Sequence, residues 1–182
     1  MLVSEDRLLL RQLSHGSRDA LRRIYEKYRG EVFTVAVSLL GNRDLAEDCL
    51  QDVFVRLAES PDQIRVVSNL KAYLASCTVN RARDQARREV KRVGCPVEEL
   101  DCRVVASNPL NGLVHDEQAA VLVDALGRLP YEQREVFVLH AQAGLAFREI
   151  ARIQEAPLRT VHSRYRYAIE KLRELLNKRM GS

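Results

Sequence analysis

The sequence contains no tryptophan, and aromatic residues make up only 5% of its 182 residues. Eight glycines and five prolines are few for an all-β chain, whereas leucine, alanine, arginine and glutamate abound, which favours helices. No apolar run approaches the roughly 20 residues that a membrane span needs. Acidic residues stand where a signal peptide would have its apolar stretch. We therefore predict an all-α chain with no signal peptide and no membrane insertion, located in the cytoplasm.

Motifs of catalysis and of metal binding are also missing. The sequence has no HExxH, no P-loop and no glycine-rich nucleotide loop, and its four histidines lie far apart. The four cysteines, Cys49, Cys77, Cys95 and Cys102, have neither CxxC spacing nor a dense framework, which is typical of reduced thiols. Cys95 and Cys102 with His115 lack zinc-ligand spacing. We predict no enzymatic activity, no metal and no cofactor.

The net charge of +4 is small, but it is distributed unevenly along the chain. Residues 1–60 carry a net charge of −1, residues 61–95 of +5, residues 96–126 of −5 and residues 127–182 of +5. Two basic blocks therefore flank an acidic segment. This pattern indicates two contacts with a polyanion, one on each of two modules.

The acidic segment is also where helical patterning fails. Between residues 93 and 116 it contains two prolines, two glycines and an Asn-Pro step, all of which interrupt regular structure. Each flanking piece is long enough for a small helical domain with a modest core. We predict two helical domains, 1–92 and 117–182, joined by a flexible acidic linker over 93–116.

Helix signals in the first domain predict three helices before the first basic block. Ser17 is a candidate N-cap, Gly30 is expected to interrupt the helix that follows, and Asn42 is a candidate N-cap of the next helix. The helix after Asn42 has one apolar stripe and one largely acidic face. That acidic face either is merely solvated or docks on a basic partner surface.

A further helix changes character along its length. Its first half, near Tyr73, has an apolar face, whereas the part from Asn80 to Arg92 carries six basic side chains. Asn80, Arg83 and Arg87 share one face by helical spacing. Arginines that neutralise phosphates, an asparagine that can bond a base edge and a tyrosine that can stack indicate a nucleic-acid contact.

The C-terminal domain has the pattern of a helix-turn-helix. A helix is predicted from Tyr131 to Gln142, with Gly144 as a stop, followed by a short helix over 145–154 and a longer one starting at Pro157. The first turns of the last helix carry polar and basic residues, as expected for a helix that enters the major groove. A plain helical hairpin would show the same pattern.

Four stretches, in this order, resemble the bacterial sigma-70 family and its small extracytoplasmic-function (ECF) group. The stretch 42–57 (NRDLAEDCLQDVFVRL) is similar to the family's core-polymerase-binding helix. The stretch 70–84 (LKAYL through NRARD) is similar to its −10 recognition helix, and 129–137 (LPYEQREVF) to the opening of its second domain. The stretch 144–164 (GLAFREIA and TVHSR) is similar to its −35-reading helix-turn-helix.

The resemblance implies an RNA polymerase sigma factor that directs core enzyme to promoters and assists promoter melting. Its implied partners are the clamp helices of core polymerase, promoter DNA and an anti-sigma factor. It also implies that loop 60–68 receives a flipped −10 base and that the linker runs through the polymerase channel. The implied core-binding residues are Asp44, Asp48, Gln51, Asp52 and Arg56. The implied −10 contacts are Lys71, Tyr73, Asn80, Arg81, Arg83, Asp84, Arg87 and Arg88. The implied −35 contacts are Arg159, Thr160, His162, Ser163, Arg164 and Arg166.

Three positions depart from the family pattern. Tyr73 stands where tryptophan is common. Glu155 stands where the turn of the helix-turn-helix usually has glycine, and a non-glycine residue makes a left-handed turn more costly. Ala146 replaces a common serine cap, which weakens that helix start by about 1 kcal/mol.

Two other functions are compatible with parts of the sequence. A stand-alone helix-turn-helix regulator would explain residues 127–182 but not the acidic helix. A sigma-mimicking decoy that binds an anti-sigma protein would be expected to lose its basic stripes, and both stripes are present.

Overall fold

The computed structural model describes residues 2–59, 69–93 and 117–180, and these residues form helices and no strand. The prediction of an all-α fold is confirmed. The linker was predicted over 93–116; Val93 is the last residue of the fourth helix, and residues 94–116 and the loop 60–68 lie outside the described residues. The helices are α1 (Leu2–Ser14), α2 (Arg18–Leu40), α3 (Arg43–Glu59), α4 (Leu70–Val93), α5 (Glu117–Gly127), α6 (Tyr131–Phe137), a π-helix (Val138–Gln142), α7 (Phe147–Ile153) and α8 (Leu158–Met180).

The helices α1 to α4 form what we call the first module. Helix α2 packs against α1, α3 and α4, and its buried face includes Ile24, Tyr28, Val32 and Leu39. The predicted caps are present, since the amide of Ala20 donates to Ser17 Oγ at 3.2 Å and the amide of Leu45 to Asn42 Oδ1 at 3.0 Å. Each cap satisfies an amide that has no partner within its helix.

The expected interruption at Gly30 is wrong. Helix α2 runs through Gly30 without a break, and Thr34 Oγ1 donates to the Gly30 carbonyl at 2.8 Å. A glycine inside a helix costs about 1 kcal/mol relative to alanine. The apolar residues buried on both sides of Gly30, among them Tyr28 and Val32, outweigh that cost because their burial requires the helix to continue.

Helix α1 was not predicted from the sequence. It buries Leu9, Leu10 and Leu13 in the core, and Asp6 fixes it to α2. One oxygen of Asp6 accepts from Lys27 Nζ at 2.6 Å, and the other accepts from Tyr28 Oη at 2.7 Å. Burial and this hydrogen bond to Asp6 raise the pKa of Tyr28, which therefore remains a neutral donor.

The second module comprises α5 to α8. The helix predicted from Tyr131 to Gln142 is α-helical only to Phe137 and continues as the π-helix, in which the amide of Ala143 reaches back to the Val138 carbonyl at 3.1 Å. A π-turn widens the helix by one residue. Gly144 then takes a left-handed backbone, with φ of 65°, which confirms the predicted stop.

Cys49 and Cys77 are unpaired thiols. Cys49 is fully buried, and burial raises its pKa to about 12. A thiol in this environment is packed as a small apolar side chain and is a poor nucleophile. Cys95, Cys102 and His115 lie outside the described residues, and the described side chains contain no group of three or more potential metal ligands.

Candidate nucleic-acid and polymerase interfaces

Helix α3 presents the predicted acidic face to solvent. Its opposite side is buried against α2 and α4 through Ala46, Cys49, Val53 and Leu57. This burial fixes the orientation of the helix, so the polar residues must project outward. All five predicted core-binding side chains are exposed: Asp44, Asp48, Gln51, Asp52 and Arg56.

An apolar groove lies beside the acidic face, between α2 and α3. Leu21, Tyr25, Phe54 and Val55 line it. Val55 is 53% exposed and Tyr25 is 37% exposed, and the rings of Tyr25 and Phe54 meet edge to face with centroids 4.9 Å apart. Sequence analysis missed this groove, because periodicity assigned Phe54 to the core and did not place Val55 next to Tyr25. An apolar centre with a charged rim is typical of a protein-binding surface.

The first half of α4 holds two of the predicted −10 residues in half-buried positions. Lys71 Nζ pairs with Glu31 on α2 at 3.0 Å. Tyr73 packs against the core, and burial, followed by its interaction with Cys77, raises the pKa of its hydroxyl to about 12. The tyrosine ring thus supplies part of the core as well as part of the predicted site.

The remaining predicted −10 residues lie on the second half of α4, where two are paired with acidic residues of other helices and four are exposed. Arg81 pairs with Asp52 of α3 and Arg83 pairs with Glu135 of α6. The Asp52 contact places a predicted −10 residue directly against a predicted core-binding residue. The others are exposed: Asn80, Asp84, Arg87 and Arg88.

The second module contains the predicted helix-turn-helix, formed by α7, a short turn and α8. Glu155 in the turn has a φ of 50°, so it adopts the left-handed backbone in which glycine is favoured. The amide of Ala156 donates to the Ala151 carbonyl at 3.0 Å and closes the end of α7. The turn geometry expected from the family is therefore formed by a glutamate.

A ring cluster fixes α8 against α7. Phe147 lies 4.1 Å from His140 and 5.2 Å from Tyr165, measured between ring centroids, and 4.4 Å from His162. His140 Nδ1 is 2.9 Å from the Leu145 carbonyl. These contacts set the angle at which the first turns of α8 project.

The start of α7 compensates in part for the missing serine cap. Ala146 offers no side-chain acceptor, but Glu149 Oε2 accepts from the Ala146 amide at 2.9 Å. This is one half of a capping box. The predicted weakening of the helix start is therefore limited to the missing side-chain acceptor at Ala146.

The predicted −35 residues lie on the first turns of α8. Arg164 is oriented by a hydrogen bond from Nη1 to Gln154 Oε1 at 2.9 Å, and Ser163 Oγ donates to the Thr160 carbonyl at 2.9 Å. Such contacts hold the side chains in place before any ligand binds. Arg159, His162 and Arg166 are exposed, and Thr160, Ser163 and Arg164 are half-buried.

Arg134 and Glu135, on α6 where the second module meets the first, were not singled out by sequence analysis. Arg134 is 3% exposed and donates to the carbonyls of Leu126, Gly127 and Leu129, at 2.8 to 3.1 Å, and to that of Leu39 at 3.0 Å. Glu135 is fully buried, and burial raises the pKa of its carboxyl even though Arg83 opposes the shift. Their burial could not be predicted, because charged residues in the segment 129–137 have no periodicity that distinguishes buried charges from surface charges.

Two family models match the chain, one in each module. The model of Sigma-70 region 2 matches residues 24–92, and the model of Sigma-70, region 4 matches residues 119–172. A helical module that matches region 2, combined with a helix-turn-helix module that matches region 4, defines a transcription initiation factor of the sigma-70 type.

Individual relatives narrow the class. The chain is 31% identical to the ECF RNA polymerase sigma factor EcfG of Rhodopseudomonas palustris, over 78% of this chain and 76% of the relative. It is 28% identical to the ECF RNA polymerase sigma factor SigK of Mycobacterium ulcerans, over 93% of this chain and 92% of the relative. It superposes with a TM-score of 0.70 on the sigma factor RpoE of Bartonella quintana, which was solved in complex with the anti-sigma factor NepR. The two sequences are 28% identical, and the superposition covers 86% of this chain and 96% of RpoE. The chain belongs to the ECF group of the sigma-70 family and is an RNA polymerase sigma factor.

Proposed function

We propose that the exposed acidic face of α3 binds the clamp helices of core RNA polymerase. The observation that carries this proposal is the exposure of Asp44 and Asp48 on the same helix that lines the apolar groove at Tyr25 and Val55. The groove supplies apolar area to bury, and the carboxylates supply orientation and charge complementarity. The chain itself catalyses no reaction and acts in the cytoplasm, where core polymerase supplies the chemistry.

The exposed part of α4 contacts the melted −10 strand. Arg87 and Arg88 are exposed and can neutralise phosphates, although Arg87 also pairs with Asp84 at 3.8 Å. Asn80 is exposed, and its amide can bond a base edge. Asp52 and Arg81 connect this surface to the core-binding face, so that both surfaces are held by one rigid module. Loop 60–68, proposed to receive a flipped base, lies outside the described residues.

The first turns of α8 read the −35 element in the major groove. Arg159 and His162 project from the helix, and Arg164 is held in a fixed orientation by Gln154. A helix is narrow enough to enter the major groove, where each base pair displays a distinct set of donors and acceptors. An anti-sigma factor is the proposed inhibitory partner, and the complex of RpoE with NepR supports this proposal.

Run-off transcription with purified core polymerase tests the proposed function. We expect transcripts from specific genomic promoter fragments only when core enzyme and this chain are both present. A stand-alone regulator would bind duplex DNA without core-dependent initiation, and a decoy would bind an anti-sigma protein without supporting any transcript. Either result would overturn the proposal.

Replacement of Arg164 by alanine tests the −35 role. We expect a loss of about 1–3 kcal/mol in binding to cognate −35 duplex, with little change on a scrambled duplex, because a base contact carries sequence information and a phosphate contact does not. Fluorescence anisotropy with the two duplexes measures the difference. Arg173→Ala, at an exposed arginine further along α8, is the matched control. An equal loss on both duplexes would show that Arg164 contacts phosphate.

A further inference from the structure

One of the predicted −35 arginines is bonded to the side chain of another helix end. Arg164 Nη1 donates to Gln154 Oε1 at 2.9 Å in a half-buried position. Arg159, earlier on the same helix, is exposed and makes no hydrogen bond of this kind within the part of the chain that the structure describes. Arg164 is therefore restrained in the free protein by a contact that its neighbour lacks.

Gln154 is itself fixed by the elements around it. It ends α7, its backbone amide donates to the Ile150 carbonyl at 2.8 Å, and Glu155 turns the chain directly after it with φ of 50°. Its side chain reaches α6, where Nε2 donates to the Glu132 carbonyl at 3.0 Å. The carboxamide thus joins α6 to α8 from the end of α7, so its position follows from the packing of these three helices.

The chemistry of its two partners determines which way the carboxamide points. A carbonyl oxygen can only accept a hydrogen bond, and a guanidinium can only donate one. The NH2 group of Gln154 must therefore face the Glu132 carbonyl, and its oxygen must face Arg164. The reversed amide would place two acceptors together at one end and two donors together at the other, and both bonds would be lost.

An amide orients Arg164 without neutralising it. Within the described residues Arg164 has no carboxylate partner, and its hydrogen bond goes to the neutral oxygen of Gln154. A carboxylate at this place would compete with DNA for the guanidinium, because charge-assisted pairs with carboxylate and with phosphate use the same donors. The full positive charge of Arg164 remains available to a ligand.

The unused edge of the guanidinium matches guanine. Gln154 occupies Nη1, whereas Nε and Nη2 of Arg164 make no hydrogen bond to the described residues. These two nitrogens present parallel donors in a rigid fork. Guanine displays O6 and N7 as adjacent acceptors in the major groove, and bidentate arginine is its commonest specific partner. A guanidinium that is already held on its other side loses less conformational freedom when it meets this edge.

We propose that Gln154 is a positioning residue that sets the base preference of the −35 reader, by holding Arg164 in the orientation that selects guanine at one base pair. This inference rests on the proposed −35 role of Arg164. Exposed arginines such as Arg159 supply charge for the phosphates, and the pair of Gln154 and Arg164 supplies the selection.

Binding of the full-length chain to a series of −35 duplexes tests the proposal. Each base pair is replaced in turn, and fluorescence anisotropy locates the pair at which the unaltered chain and Arg164→Ala differ most, where we expect guanine. Gln154→Met keeps the length of the side chain and removes the amide donor and the carbonyl acceptor. It should lower the preference for guanine by roughly two- to tenfold, the factor that corresponds to immobilising one long side chain at an interface. Affinity for a scrambled duplex should not change.

A double-mutant cycle distinguishes positioning from a purely structural role. In the Arg164→Ala background, Gln154→Met should have no further effect on base preference, because the group that it positions is gone. Gln133→Met is the matched control, since Gln133 is half-buried on α6 and its side chain makes no hydrogen bond to the described residues. An equal loss of affinity on all duplexes, or a loss of preference that persists without Arg164, would overturn the proposal.

The motion of Arg164 in the free chain provides a measurement that needs no variant. If Gln154 holds the guanidinium, the NMR order parameter of the Arg164 Nε–H bond should exceed that of Arg173, an exposed arginine further along α8. Equal order parameters for the two arginines would overturn the proposal, whether or not Gln154→Met folds.

The outcomes separate this inference from the proposed function. If Arg164→Ala changes the preference at no base pair, Gln154 has no base-reading group to position and the inference is overturned. Run-off transcription by the unaltered chain with core polymerase then decides the proposed function independently.

Discussion

Replacing both Asp44 and Asp48 by lysine is expected to weaken binding to core RNA polymerase by about 100-fold or more. Both carboxylates are exposed on α3, and in the proposed complex their reversal turns two favourable charge contacts into like-charge contacts. Like-charge juxtaposition at an interface costs several kcal/mol, and each 1.4 kcal/mol is a factor of ten in affinity. Surface plasmon resonance with immobilised core enzyme measures the effect.

Reversal of the exposed Asp44 and Asp48 leaves the buried face of α3 intact and costs the helix only a favourable charge in its first turn. Asp52, which is also predicted to bind core, pairs with half-buried Arg81, so a lysine there would also disturb the contact between α3 and α4. Glu170→Lys with Glu174→Lys makes the same change in net charge on exposed positions of α8 and is the control. Undiminished binding by the Asp44 and Asp48 variant would refute the role assigned to the acidic face.

Arg134→Ala is expected to lower the free energy of unfolding by about 3–5 kcal/mol. The buried guanidinium donates to the Gly127 carbonyl at the end of α5, to the Leu39 carbonyl at the end of α2 and to the Leu126 carbonyl, which also accepts from the Leu129 amide. Each buried acceptor left without a donor costs about 1 kcal/mol or more, and the vacated volume adds to this loss. Chemical denaturation followed by circular dichroism measures the change.

Arg128→Ala is the matched control for Arg134→Ala. Arg128 lies in the same module, is exposed and pairs with Asp124 at 3.1 Å. Surface ion pairs of this kind contribute about 0–1 kcal/mol. If the two alanine variants unfold at the same denaturant concentration, the buried network at Arg134 does not hold the module together.

The local part of the fold could be predicted from the sequence because its signals are local. Ser17 and Asn42 cap the helices as expected, and Gly144 takes the backbone conformation that a stop requires. The prediction failed at Gly30, where the propensity of one residue was weighed without the burial of its neighbours. Helix α1 was missed because its three leucines are buried only by packing against α2, which the sequence of α1 alone does not show.

The sequence indicated which residues share a helix face in the candidate site, but not which residues of separate helices contact each other. Helical spacing correctly placed the carboxylates of α3 on one exposed face. Spacing could not show that Arg83 meets Glu135, or that Arg134 reaches Leu39 across 95 positions, because such pairs depend on how separate helices pack. The assignment of individual residues to the −10 and −35 elements remains a prediction.

Glu155 illustrates a trade-off between backbone strain and the charge near Arg83. Glycine at this turn would adopt φ of 50° without steric cost, because it has no Cβ, and the backbone would be less strained. It would also remove a carboxylate from the field around Arg83. A variant selected only for thermal stability would therefore be drawn toward glycine, and Arg83 would lose one of the negative charges that raise its pKa.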